Sequence, residues 1–593
     1  MRWSISILVA FIRYVFLKNR EIVYLLISVN EGKMTKKRSF ILIGVIICIL
    51  QLPMIWNHSV NLGGDTLFHY NRIYDSAMQL RYGNFQPLYS FYGFNGTLRV
   101  INALYGPVLS YIFGGIALIS GSWFKFDLIV NVLLGISMSA ALWRLFNLQK
   151  VPNTWRVLLI GLTLSSNNYV SWLLQHQFNA IGAIPLILIV TILIRMYQNP
   201  KNPIKIIELS CSMALLIQIH MLSTLLAILV LIPLTLMATY WWQEKLKTWF
   251  KILEAVMLSI LLTANVWWPY LYVTRNNIIE TPGTSSMSGN VSHFFENNYA
   301  WNGTVNWPVS IIIFTILIVG LIFWKRISRV TRVLTVFGWT LLVLQTNLVP
   351  WDLLLHFWPA IAVIQFPFRF GFLLIIVIVA LVGQYVVSYE KMDVIQLGIT
   401  IVTVIVFIGL FITYNDIWQW NASFHSDTVT NIVKNPANGQ IGSTTNAKKA
   451  FFSSDLQTGI LKSSRGSTDY LTGSNKDYFK YNETVFLTSN KYTKKVSGSE
   501  EILTWQSNKG NLMTSPIAVY KGLTLELNGQ RINVKRDNLG LAIINSKKGH
   551  NKLIVRQVTP SSIYFSYYMS AVAWSIVAVS QFYTGQRKSK AIN

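Results

Sequence analysis

The feature that most restricts the fold of this chain is a succession of apolar runs, each about as long as a bilayer is thick and almost free of charge. A helix rises about 1.5 Å per residue, so roughly 17–25 apolar residues cross a hydrocarbon core about 30 Å thick. Such runs occur near 39–56, 126–146, 155–172, 179–198, 204–219, 222–242, 250–272, 309–324, 332–349, 367–388, 393–413 and 563–583. Lipid offers the backbone no hydrogen-bond partner, so these runs predict helices. Only 12% of the 593 residues are charged, about half the soluble norm. The expected fold class is therefore mainly α, a polytopic membrane protein with about 12 transmembrane helices.

Basic residues set the orientation. Lys36, Lys37 and Arg38 precede the first run and place its start in the cytoplasm, so the loop that follows lies outside. Counting the apolar stretch 105–120 as a span would put Lys150/Arg156, Lys201/Lys205 and Lys245/Lys247 outside. Read instead as a helix along the outer surface, it leaves all of them inside, together with Lys325, Arg326, Arg329, Arg587 and Lys588. The outer face then collects loop 57–125, the turns at Gln175-His176 and at His220, loop 273–308, loop 350–366 and segment 415–562. The net charge of +27 follows these flanks and the polar C-terminal segment. It points to anionic lipid or an anionic polymer and not to nucleic acid. Cys48 and Cys211 lie in separate apolar runs, with neither zinc spacing nor a disulfide framework.

Four regions follow. Residues 1–33 read either as an over-extended start before Met34 or as an extra amphipathic or spanning segment. Residues 34–414 form the transmembrane domain, within which loop 273–308, rich in Ser, Gly, Asn and Thr, reads as a mobile lid or a plain connector. Residues 415–562 turn polar and, from about 511, alternate as strands do. Leu525-Glu526-Leu527-Asn528-Gly529-Gln530 carries the preferred tight hairpin turn. This segment reads as an extracytoplasmic β-sandwich-like domain ahead of the final helix and basic tail at 563–593.

Chemistry concentrates just past the first run, at Gly63-Gly64-Asp65-Thr66-Leu67-Phe68-His69, with Arg72 and Asp75 behind. On a helix Asp65, His69 and Arg72 share one face within about 60°. Asp75 lies roughly 80° off that face and reads as structural. The plainer alternative makes Asp65 a helix N-cap, with His69 and Arg72 as solvated surface.

A cytoplasmic start, one span, a large outer loop with an early Asp and a surface helix resemble the GT-C glycosyltransferase superfamily. Gly64–His69, Gln365-Phe366-Pro367-Phe368-Arg369-Phe370 and the terminal β-domain resemble the bacterial YfhO-type proteins, also labelled 6-pyruvoyl-tetrahydropterin-synthase-related. Phe368 stands where that family leads us to expect Trp. The resemblance implies an inverting transfer of sugar from a polyprenyl-phosphate donor to a cell-envelope acceptor, a teichoic acid or polysaccharide, outside the bacterial cytoplasmic membrane. It assigns Asp65 as base or acceptor-positioning group.

The remaining roles follow from chemistry. A departing phosphate needs cations, and the guanidinium forks of Arg369 and Arg72 suit its oxygens. His69 is placed to orient Asp65, contact sugar or join a divalent metal, although two ligands do not make a site. His176 and His220 occupy outer turns and Glu280 is an outer carboxylate; each is a candidate for the cleft or a simple helix-end residue. The aromatics of the first outer loop read as interfacial anchors, a few of them as sugar-stacking rings. Two other classes stay open: a transporter or flippase of a lipid-linked precursor, and a non-catalytic scaffold. No clear internal repeat favours the former.

Overall fold

The computed structural model describes residues 34–279, 286–297, 303–388, 392–423, 447–462, 468–474, 477–488 and 491–590. Both readings of residues 1–33 fall outside the described residues. Among the described residues eight helices are long and apolar enough to cross a membrane: Lys36–Asn57, Trp123–Gln149, Asn153–Gln175, Phe178–Gln198, Met221–Thr239, Pro367–Ser388, Gly398–Trp420 and Ser561–Tyr583. A ninth arises if Lys245–Leu262 and Ala264–Asn276, which meet at a 67° bend, are one broken span. Such helices point to a membrane protein, and among the described residues there are fewer full-length spans than the twelve runs suggested.

The shortfall has a physical origin. Ile206–Ile219 has 14 residues, and Trp307–Ile322 and Arg329–Leu344 have 16 each. At about 1.5 Å per residue they reach roughly 21–24 Å, short of a full hydrocarbon core. At the 67° bend, the Asn265 amide donates to the Ser570 hydroxyl oxygen of the final helix at 3.2 Å. Helix starts are capped by short polar side chains, as in Thr35 to Arg38 N, Ser122 to Lys125 N, Asn306 to Val309 N and Ser328 to Thr331 N.

Between the first two spans the chain forms the helices Thr66–Tyr82 and Pro107–Ser120, which pack on each other, with the single turn Ile101–Leu104 between them. They pack tightly at Gly114, where a side chain would meet the Ala77 backbone nitrogen at 2.8 Å. The described part of loop 273–308 is strapped down. Short strands β1 (His293–Glu296) and β2 (Thr304–Asn306) pair in parallel. Asp352 accepts from the backbone of Met287 and Ser288 at 2.8 and 3.2 Å, and from the Ser286 hydroxyl at 3.0 Å.

The C-terminal region holds two antiparallel sheets built from β3 (Thr493–Ser497), β4 (Glu500–Ser507), β5 (Asn511–Ala518), β6 (Leu523–Leu527), β7 (Gln530–Ile532), β8 (Lys535–Arg536), β9 (Leu541–Ser546) and β10 (Gly549–Gln557). The orders are β3-β4-β10-β6-β7 and β5-β9-β8. Strands thus begin near 493, earlier than the expected 511, because β3 and β4 form a hairpin around Gly498, whose φ of +57° suits glycine. The Asn528-Gly529 turn closes the β6–β7 hairpin with both residues left-handed, φ 51° and 84°.

These sheets share an apolar core with the loop between the two short helices. Leu88, Phe91, Leu98, Val100 and Leu104 are buried with Leu503, Trp505, Leu525, Leu541, Leu553 and Val555. Glu501 of β4 faces this junction, fully buried beside Gly96, with neither carboxyl oxygen hydrogen-bonded among the described residues. Burial pushes its carboxyl up to about 8 against the pull of Lys494, with Asp75 adding to the rise. A carboxyl whose folded value lies above its ordinary 4.5 favours the folded state only while protonated. That contribution is complete below about 4.5 and is lost as pH climbs through 8. Thermal unfolding of the detergent-purified protein should therefore show a midpoint that falls between about pH 5 and 8. Glu501→Gln should flatten that fall, and an equal slope in the variant would refute the assignment.

Candidate functional site

The Gly63-Gly64 pair explains how Asp65 is placed. Gly63 lies against the end of the Asn153–Gln175 span so tightly that a side chain would come within 2.2 Å of Leu174 O. The Asp65 amide then donates to Gln175 O at 3.1 Å, pinning the turn. Asp65 does occupy the N-cap position of the Thr66–Tyr82 helix, yet its carboxylate makes no capping hydrogen bond and the residue is exposed. The plain capping reading therefore accounts for its position and not for its side chain.

One turn along, His69 and Arg72 are buried and joined, Arg72 Nη1 to His69 Nδ1 at 3.2 Å. Arginine has no acceptor, so it donates, and the His69 proton sits on Nε2. Burial, and then the charge of Arg72, hold this imidazole well below its ordinary value and keep it neutral. The ring stacks on Phe178 with centroids 4.0 Å apart. Arg72 Nε donates to Asn102 Oδ1 at 3.2 Å, and the guanidinium lies 4.3 Å from the Tyr105 ring centroid. It is 1% exposed and forms no ion pair among the described residues. Burial lowers it only to about 10, so it remains a cation.

His220 and Arg369 arrive from other helices. Gly106, next to Tyr105, fits against the end of the Ile206–Ile219 helix, where a side chain would meet Gln218 O at 1.9 Å. His220 caps the following helix, its Nδ1 accepting from the Ser223 amide at 3.1 Å, which leaves the proton on Nε2. Burial, then Arg369 and Arg72, drive it down to about 3, so it too is neutral. Arg369 ends a short 3₁₀ turn, Pro367–Arg369. Its Nη1 donates to Gln365 Oε1 at 2.8 Å and Ile364 O at 3.2 Å, while its buried Nε has no hydrogen-bond partner among the described residues. The Asp65 carboxylate acts electrostatically on both Arg369 and Tyr105.

Asp65, His69, Arg72, His220 and Arg369, spread over more than 300 residues of sequence, thus form one cluster. It combines two guanidiniums, two neutral imidazoles able to donate from Nε2, and a carboxylate at the rim, an arrangement suited to an anion beside a proton acceptor. His176 sits behind it. Its nitrogens bond to Thr66 Oγ1 at 2.9 Å and Asp127 Oδ1 at 3.0 Å, and Asp127 Oδ2 accepts from Tyr70 at 2.7 Å. In this arrangement His176 braces the start of the Asp65 helix instead of lining the open cluster. Glu280 lies outside the described residues. Among the described residues no three His, Cys, Asp or Glu side chains converge as metal ligands.

Sequence reasoning passed over Asn102, Tyr105 as a partner of Arg72, and Tyr470, whose hydroxyl meets that of Tyr105 at 2.9 Å. Tyrosines crowd the first loop, so no local signal singled out Tyr105. No protein-family model matches the chain, and no curated protein matches it.

Asp75 holds the cluster's rear wall. Its Oδ1 accepts from the Tyr92 and Gly93 amides at 2.9 and 3.1 Å, and its Oδ2 from Gln79 and Asn102 at 2.8 and 3.3 Å. Burial raises the carboxyl to about 6 against these four donors, so it is ionised at neutral pH. Asp75→Asn would turn an amide donor toward other donors. We expect a loss of about 1–3 kcal/mol, read as a lower thermal midpoint, together with weakened packing of loop 84–105; an unchanged midpoint would contradict this role.

Proposed function

We propose that this chain is a glycosyltransferase of GT-C type, moving a sugar from a polyprenyl-phosphate carrier to a hydroxyl of a cell-envelope polymer. The observation that carries the proposal is the cluster itself: Arg72 and Arg369 with Asp65 at its rim, all at one end of the helical bundle. In this reading the site and the β-rich domain, packed as a sandwich, face outward from the bacterial cytoplasmic membrane, in keeping with the distribution of basic loops.

The acceptor hydroxyl loses its proton to Asp65 as its oxygen attacks the anomeric carbon from the face opposite the phosphate. The carbon–oxygen bond to phosphate breaks, and its electron pair departs on the phosphate oxygen, giving inversion. The departing phosphate gains charge, and Arg72 and Arg369 stabilise it in a site poor in water, where fixed charges act most strongly. The neutral imidazoles of His69 and His220 add Nε2–H donors without adding positive charge. No step in this scheme needs a nucleotide or a metal.

The direct test is sugar analysis of purified envelope polymers from a deletion strain, complemented with wild type or Asp65→Asn at equal membrane abundance. Loss of one glycosyl substituent, restored by wild type and not by Asp65→Asn, is the expected result. Removing a positioned base typically costs about 10²–10⁴-fold in rate. Full restoration by Asp65→Asn would remove Asp65 as base and shift weight to a transporter or scaffold.

A further inference from the structure

Tyr470 lies in the C-terminal region, yet its side chain reaches the Arg72 cluster. Its backbone has φ +66°, a left-handed conformation that costs a non-glycine residue roughly 1–3 kcal/mol unless its surroundings enforce it. The surroundings do so from the β-sheet side. Tyr520 donates its hydroxyl to Tyr470 O at 2.8 Å, and Thr472 donates to Val519 O at 2.9 Å. Gly473 sits so close to Asn538 that a side chain would lie 2.2 Å from Asn538 O. Arg99, from the loop of the helical half, adds an anchor by donating to Asp469 O and, at 3.0 Å, to the Tyr481 hydroxyl.

Held in this way, Tyr470 points its phenol into the helical half. Its hydroxyl lies 2.9 Å from that of Tyr105, and the rings meet edge to face at 5.9 Å. Tyr105 in turn carries the Arg72 guanidinium over its ring. Two hydroxyls share one hydrogen bond between them, which consumes one of their two protons. Among the described residues neither phenol makes another side-chain hydrogen bond, so one O–H is left to donate beside a buried cation. Arg369 and Asp469 also act electrostatically on this phenol pair.

We propose that Tyr470 is a positioning residue of the Arg72 site, supplied by the C-terminal domain, and that docking of this domain completes the site for a phosphate-bearing ligand. The spare phenolic proton of the Tyr105–Tyr470 pair donates to a phosphate oxygen, while the pair holds the Tyr105 ring against Arg72. This rests on the reading of the cluster as the seat of a lipid-linked phosphate.

The test is calorimetric binding of citronellyl phosphate, with citronellol as the uncharged control, to the full detergent-purified chain. Wild type should bind the phosphate, and Arg72→Gln should bind it at least tenfold more weakly. Tyr470→Phe and Tyr105→Phe should each lose about three- to tenfold. The double variant should lose no more than about either single one, since both remove the same donor pair. Affinity for citronellol should stay constant throughout. Tyr470→Gly, which removes the phenol but tolerates the left-handed backbone, should lose phosphate affinity at least as strongly as Tyr470→Phe, with a lower thermal midpoint from the space the ring vacates. If Arg72→Gln fails to bind while both Tyr470 variants bind as wild type, the role of Tyr470 is overturned and the phosphate reading survives. If Tyr470 variants lose phosphate and alcohol alike, the residue is merely structural and the proposal falls. If wild type does not bind the phosphate, the phosphate reading fails and the proposal with it.

Discussion

A buried guanidinium without a carboxylate partner among the described residues is the constraint around which this structure is arranged. Removing such a charge from water costs several kcal/mol unless other contacts offset it. Arg72 finds an imidazole nitrogen, an amide oxygen and two aromatic faces, His69, Asn102, Tyr105 and Phe178. Three of these connect to further parts of the molecule. Asn102 also donates to Asp75, which gathers the Tyr92-Gly93 backbone; Tyr105 meets Tyr470; Phe178 opens the span after His176. The cation is solvated by protein dipoles and ring faces and keeps its charge.

This arrangement ties the two halves of the molecule together. The loop that carries Asn102 and Tyr105 buries Leu98, Val100 and Leu104 in the same core as the β-sheets. The C-terminal sheets are therefore a support for the site, because they fix the loop from outside and deliver Tyr470 to it. Glu501 and Asp75, two buried carboxyls, sit on this junction with opposite solutions. Asp75 has four donors and is an anion at neutral pH, whereas Glu501 has none and is held as an acid. Docking and protonation are consequently linked.

Much of the outline was legible in the sequence. Apolar runs located the spans because hydrophobic length is a direct physical requirement. They overstated the number because adjacent short helices read alike whether or not they reach across. The Asp65, His69 and Arg72 face followed from helical spacing, and the basic loops collected His220 and Arg369 at the same end. What could not be read was how side chains are used. Nothing in Gln175-His176 distinguishes a ring facing a cleft from one bonded between Thr66 and Asp127. Tyr470 lies in a polar stretch without periodicity, and its left-handed backbone depends on contacts with Val519, Tyr520 and Asn538, far along the chain. Contacts of this range have no local signature.

The central claim is that the Arg72–Arg369 cluster is a phosphate site, and a cryo-EM structure of the detergent-solubilised chain with farnesyl phosphate tests it most directly. The account predicts phosphate density within hydrogen-bond distance of both guanidiniums, with Asp65 facing open space on the side away from the lipid chain. Density at another place, or a carboxylate swung in to pair with Arg72 while the cluster stays empty of phosphate, would contradict it.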